Sequence, residues 1–385
     1  MAFREKIKGL ISRARTLEIE QRDRIEAARV RYEAASNLEA PDRVPVQVGV
    51  DPVWSDWYLK RKYNIEIGEF WRDPKLLIEY ELRTWIDSFV DFDDDRTYVI
   101  PDAVGPLGGV VLHPSIVGCR TAFPVDDSPW IDLSYRAFDT KEKIDDFDTP
   151  DIPKAGLMPE ILERVEAMRE LVGDMIDVRI LGGDGSPLQM AAYTRGITQL
   201  TRDMYTDPPI VHKLMRKLMG VYDKINEYYE KEWDMPYRGK DIEGRFYDNP
   251  LSYFSSRLIE RFVLPHYRDY AEKCGWRYWS FETQDVMDQF IELFKTVPIR
   301  TVQSLVSSSN LAIFKEILGP KKVRFGVFLA PGRLLLDEPG IEGHLKEIIG
   351  IMGHEGGWTL SSGSLDRAIP QENIQEFVKA AKRNG

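Results

Sequence analysis

Two carboxylic acids carry the most suggestive chemistry in this 385-residue chain, Asp248 and Glu282. Each closes a run dense in apolar and aromatic side chains, Phe246-Tyr247 before Asp248 and Tyr278-Trp279-Ser280-Phe281 before Glu282. Burial among such neighbours disfavours the charged form of a carboxyl group. A carboxylic acid kept neutral near physiological pH can donate a proton to a leaving group. Nothing in the chain competes as a nucleophile system. The five histidines (113, 212, 266, 344 and 354) and the scattered serines form no readable triad, and His212 and His266 sit on amphipathic helices as structural residues. The two cysteines, Cys119 and Cys274, lack metal-ligand spacing and read as reduced thiols.

Both acids must be held by strands, and the chain supplies eight candidates. They are Val44 to Val50, a segment within Trp85 to Ile100 around Asp91-Phe92, Ile176 to Leu181, Gly239 to Asp248, Trp276 to Phe281, Arg300 to Val306, Val323 to Leu329, and Gly357 to Ser361. Helical patterns separate them, one of which opens at Asp207-Pro208-Pro209 and carries Ile210, Leu214, Met215, Leu218 and Tyr222 on one face. Eight strands alternating with helices predict a (β/α)8 TIM barrel, residues 42–385, preceded by a charged helical extension, residues 1–41. The extension is expected to pack outside the barrel, with a homodimer contact as the alternative. An open doubly wound sheet is the rival fold, but no G-x-G-x-x-G opens a helix.

In such a barrel chemistry sits on the loops after the strands. The candidates there are Gln47, Asp51, Asp102, Asp184, Asp248, Asn249, Glu282, Gln284, Gln303 and Ser361 to Ser364. Trp54, Trp57, Phe246, Tyr247, Trp279 and Phe281 are available to wall a flat ring. A long connection, residues 101–150, is of the length usual for a functional loop.

Composition excludes several classes. A net charge of −11 argues against a nucleic-acid footprint. No run approaches the apolar length of a membrane span, and the N-terminus, MAFREKIKGLISRART, lacks a signal-peptide pattern. A cytoplasmic protein is expected.

The segments GSPLQMAAYTRG and DPPIVHKLM, the helix NPLSYFSSRLIERFVLPHYRDYAEKCG and the closing SGSLDRAIPQENIQEFVKAAK resemble the uroporphyrinogen decarboxylase family. The resemblance covers about residues 43–381. It implies the same barrel, and Tyr193 falls at the position of the family's helical Tyr. Relatives in the family include cobamide-dependent methyltransferases. The departures are informative. Where the decarboxylases carry an Arg-Gln-Ala-Gly-Arg type segment for a polycarboxylate substrate, this chain reads GVDPVWSDWYL, without arginine. Where thiol-methylating zinc enzymes of the family carry His-x-Cys and a later Cys, it reads Ser280-Phe281-Glu282 and Ser362-Gly363-Ser364. Zinc at Glu282 with another carboxylate or His has no support from spacing.

What remains resembles substrate-side methyltransferases of corrinoid-dependent O-demethylation. The resemblance implies a small methoxylated, aromatic substrate and a partner corrinoid protein carrying cobalamin, because this chain lacks Asp-x-His-x-x-Gly. On that reading Glu282 or Asp248 donates the proton and Tyr193 orients or relays. Trp54, Asp102, Asp184, Asn249, Trp279 and Gln284 surround the substrate. The alternatives are a uroporphyrinogen decarboxylase-type decarboxylase, and a non-catalytic barrel that binds a ring compound or a corrinoid protein.

Overall fold

The computed structural model describes residues 2–52, 55–106, 108–181, 185–282, 286–330 and 332–385. Strands β1 (Val46–Gly49), β2 (Ala103–Val104), β3 (Thr121–Ala122), β4 (Trp130–Ile131), β5 (Asp177–Val178), β6 (Glu243–Tyr247), β7 (Tyr278–Glu282), β8 (Ile299–Val306), β9 (Arg324–Phe328) and β10 (Trp358–Ser364) follow in chain order. Six of them form one parallel sheet in the order β1-β10-β9-β8-β7-β6, and β2 pairs in parallel with β5. Together these eight make the expected (β/α)8 barrel, while β3 and β4 form a separate antiparallel hairpin within the 101–150 connection. Among the described residues no helix is long and apolar enough to cross a membrane.

One strand lies elsewhere than the sequence suggested. The Trp85–Ile100 region is not a strand: helix Pro74–Asp91 runs through its first part, capped by Asp73, whose side chain accepts from the Lys75 N–H. Its apolar residues Leu77, Ile78, Leu82, Trp85, Ile86 and Phe89 recur at helical spacing and are all buried. The second barrel strand is Ala103–Val104, too short to show a period of its own.

The ladder is interrupted on both sides of the β2–β5 pair, and side chains take over there. The N–H groups of Val46 and Val48 on β1 donate to Asp95 Oδ2 and Asp94 Oδ2, each at 2.9 Å. Asp95 N–H returns a bond to the Val46 carbonyl at 2.8 Å. On the other side Ser186 Oγ accepts from the Tyr247 N–H at 2.7 Å, and Ser186 N–H donates to the Tyr247 carbonyl at 3.2 Å. Edge groups of a strand that meets no neighbour are thus satisfied locally.

The acids that do this are themselves neutralised. Asp95 receives Arg43 at 2.5 and 2.6 Å and Arg31 at 3.0 Å, and buried Asp94 pairs with buried Arg96 at 3.2 Å. Arg31 belongs to helix Arg22–Ser36, which also lies against the barrel floor: Gly357 N–H donates to the Ala35 carbonyl at 3.1 Å, and Arg24 caps the carbonyls of Phe89 and Phe92. Helix Ala2–Glu20 buries Ile7, Leu10, Ile11 and Ala14 and packs on helices Pro74–Asp91 and Met158–Val172.

Asp95→Ala deprives Arg43 and the Val46 N–H of their acid and leaves Arg31 with Asp42 alone. Breaking one side of a buried ionic network costs about 3–5 kcal/mol. The variant is therefore expected to show a clearly lowered thermal midpoint, whereas Asp93→Ala, at an exposed carboxylate, shifts it little. Equal midpoints for the two would mean that the network does not hold the edge of β1.

Candidate active site

Alternation along the strands decides which side chains enter the barrel. On β6 Glu243, Arg245 and Tyr247 face the interior, while Phe246 points outward and stacks on Tyr267 at 3.8 Å between ring centroids. The register pairs Tyr247 with Glu282, so Glu282 also faces inward, and Trp279 and Phe281 face outward. The lumen is a cavity of about 550 Å3. It runs from Gln47, Gly326 and Thr359 in mid-barrel up to Ala330, Gly332, Ser362 to Ser364 and Ile369 at the strands' C-terminal ends.

Polar side chains inside the barrel sit in two layers, of which only the upper one lines this cavity. In the lower one Arg324 pairs with Glu243 and donates to Thr301 Oγ1 at 2.7 Å. In the upper one Arg245 forms an ion pair with Glu282 Oε2, off the hydrogen-bond direction, and Ser304 Oγ donates to Glu282 Oε1 at 3.3 Å. Ser304 holds φ at 55°, a left-handed conformation rare for a side-chain-bearing residue, where the β8–β9 register shifts. Strain of this kind, about 1–3 kcal/mol, concentrates at functional sites. Gln303, Asp51, Tyr247 and Phe328 complete the wall. At the rim β1 and β10 come so close that a Cβ on Gly49 would lie 2.2 Å from the Gly363 carbonyl oxygen.

Of the residues singled out from sequence, Glu282, Gln47, Asp51, Gln303, Ser361, Ser362 and Ser364 line this lumen. Asp248 does not. It is one residue past Tyr247 and points outward, fully buried, accepting from Gln189 N–H at 3.0 Å and from the Tyr267 hydroxyl. With the Leu188 N–H on the Tyr267 hydroxyl, it caps helix Pro187–Arg195. Burial pushes its carboxyl group up to about 8, against the pull of the Tyr267 and Gln189 hydrogen bonds. The group expected to serve the lumen as an acid thus faces the helical layer instead. Trp279, expected to wall the substrate, instead packs edge-on against Phe246 outside the barrel.

Tyr193 is also outside the lumen, against the small cluster of Val110, Val111, Cys119 and Ile131, and burial raises its hydroxyl to about 12. Asn249 donates at 3.2 Å to the hydroxyl of Tyr247, which lines the lumen. Asp102 precedes β2 rather than following a strand, and it lines a lateral cavity. Trp54, Asp184 and Gln284 lie outside the described residues. Arg245, Ser304 and Phe328 were missed, although Arg245 shares the period of Tyr247 and so was open to a parity argument. Among the described residues no three His, Cys, Asp or Glu side chains converge as a metal set.

The Asp248 proton has a thermodynamic signature. The unfolded chain releases it near the ordinary value of 3.8, whereas the folded chain keeps it to about 8. Its contribution to stability is therefore full below the lower value and is lost as pH rises through the window between them. Asp248→Asn removes that linkage, so its thermal midpoint relative to the native chain should climb from about pH 5 to about pH 8. A pH-independent difference would show that Asp248 is ionised in the fold.

Comparison with known proteins accords with this geometry. The family model for uroporphyrinogen decarboxylase (URO-D) matches residues 28–384. A uroporphyrinogen decarboxylase of Mannheimia succiniciproducens is 30% identical over 201 residues, which cover 47% of this chain and 50% of that protein. The chain thus spans about half the length of this curated relative. A solved structure of a methyltransferase from Methanosarcina mazei has a TM-score of 0.63 at 15% identity, covering 92% of this chain and 97% of that one, a likeness of fold. With nearly its whole length matched by the family model, the chain belongs to the uroporphyrinogen decarboxylase family.

Proposed function

We propose that the chain is a methyltransferase that takes a methyl group from a small methoxylated ring compound in the lumen and passes it to a corrinoid protein docked over the mouth. The observation that carries this reading is the charge of the lumen. Its described lining offers the carboxylates Asp51 and Glu282 and only Arg245 from the basic residues, already paired with Glu282. A substrate rich in carboxylates would meet like charge there. Neutral hydrogen-bond groups on Gln47, Gln303 and Ser361 suit a neutral phenolic ether, and Tyr247 and Phe328 offer ring faces. The volume, about 550 Å3, falls in the range of small-molecule sites. The fold likeness to the Methanosarcina mazei methyltransferase supports the same direction.

Small residues at Ala330, Gly332, Ser362 and Gly363 keep the rim low, which fits the approach of a large planar group from a partner. That group, cobalamin reduced to cob(I)alamin, supplies the nucleophile that accepts the methyl group. The tasks of this chain are to hold the ether with its methyl toward the rim and to help the oxygen leave. Glu282 could donate a proton only by breaking its pair with Arg245, so its role here is to fix Arg245 and orient the substrate oxygen.

Incubation with a reduced corrinoid protein and a panel of methyl ethers should give methylcobalamin, followed by its absorbance. Absence of methyl transfer from every O-, N- and S-methyl donor, with carbon dioxide released from uroporphyrinogen, would establish the decarboxylase instead. Glu282→Gln should retain the fold and lower methyl transfer by about 10²-fold, the cost of a misplaced substrate, equally across leaving groups. A loss that shrinks with more acidic leaving phenols would make Glu282 the proton donor.

A further inference from the structure

The gap between β1 and β2 holds a second cavity of about 600 Å3, separate from the lumen except at one residue. Asp51, just beyond β1, lines both. Facing the same lateral cavity is Glu81, from helix Pro74–Asp91, only 4% exposed. Its neighbour Glu79 is paired with Lys6 and Arg83. Glu81 differs: among the described residues no Lys or Arg pairs with it, and its Oε2 has no hydrogen-bond partner. A buried carboxylate without a counter-ion is costly, so such a group keeps its proton.

We propose that Glu81 and Asp51 form a proton-sharing carboxyl pair in the wall between the two cavities, and that this pair delivers the proton to the oxygen that leaves in the lumen. The proposal rests on the methyl-transfer reading for its substrate, but not for the existence of the pair. Burial pushes the Glu81 carboxyl well above the usual range, the Asp51 charge adds to the push, and the Gly105 N–H opposes it. Two neighbouring carboxyl groups that cannot both ionise titrate as a unit. The other charged or titratable groups facing the lateral cavity are Arg29, Tyr98, Asp102 and Arg179.

The step balances as follows. The methyl–oxygen bond breaks, the methyl passes to the partner's nucleophile, and the bonding electron pair stays on the oxygen. Asp51, the ionised member on the lumen side, takes the proton held by Glu81 and passes it to that oxygen. A proton from solvent, entering by the lateral cavity, then restores Glu81 to its protonated form. An ether, a nucleophile and one proton become a phenol and a methylated nucleophile. The arrangement separates proton supply from the mouth, which the partner covers during transfer.

Infrared difference spectra of the whole protein, titrated without substrate, test the pair directly. A protonated-carboxyl band is expected at neutral pH that disappears in Glu81→Gln and shifts in Asp51→Asn. Asp248 gives a second such band, removed by Asp248→Asn, which calibrates the assignment. In the methyl-transfer assay Glu81→Gln and Asp51→Asn should each lower the rate by about 10²- to 10⁴-fold, with the loss shrinking for more acidic leaving phenols. Absence of a Glu81-dependent band, or a native rate in folded Glu81→Gln, overturns the proposal. If Glu81→Gln does not fold, the shift and rate of Asp51→Asn decide. If the native chain transfers no methyl group from any donor, the functional reading fails, and the band alone decides whether the two acids share a proton.

Discussion

The barrel depends on how the free edge of β1 is satisfied. A closed parallel barrel normally leaves no strand edge, because each strand hydrogen-bonds to two neighbours. Here, among the described residues, β1 pairs with β10 alone, and Asp94 and Asp95 take the N–H groups that a neighbouring strand would have taken. Carboxylates can do this inside a protein only if their charge is met. Arg31 and Arg43 meet Asp95, and Arg24 and Arg96 meet Asp94. Two of these arginines, Arg24 and Arg31, come from helix Arg22–Ser36. That helix is thus tied into the barrel by the same acids, and the match to the family model begins inside it, at residue 28.

Opening the ladder at β1 and again at β6 has a geometric consequence. Where two strands pair fully, their backbones stand about 4.8 Å apart and no cavity fits between them. Where side chains bridge instead, the strands can part. Both interruptions carry a cavity, one lined by Glu81 and Asp102, the other by His113, Tyr222 and Tyr229. In the second, burial holds the His113 ring at about 4, so it stays neutral, with its nitrogens 3.3 Å from the Tyr229 hydroxyl and the Gly185 carbonyl.

Within the barrel, charge is arranged as paired layers. Arg324 with Glu243 and Arg245 with Glu282 each bring opposite charges from neighbouring or facing strands together, the Arg245 side chain remaining half exposed. Each pair gives its members a preferred orientation, a requirement for a site that must orient a substrate. They also leave little positive potential for a polyanion, which sets this barrel apart from what the arginine-bearing segment of the decarboxylases would provide.

The sequence by itself determined the barrel, seven of its eight strands, and most of the residues that end up at strand termini. Glu282, Asp51, Gln303 and Ser361 to Ser364 were legible because the loops after barrel strands face one end of the fold whatever the packing. It did not determine which acid of the Asp248 and Glu282 pair faces the lumen. Strands of a parallel barrel are buried on both faces, so the usual alternation of apolar and polar residues that would reveal the inward side is muted. The choice came from register: Tyr247 lies opposite Glu282, and one further step turns Asp248 to the helical layer. Nor could sequence locate β2, since two residues carry no period, or pair Arg245 with Glu282, residues 37 positions apart in a chain whose strands had yet to be aligned. Those were decided by tertiary structure alone, because ion pairs between strands, and cavities between helices and strands, exist only once the strands have a register.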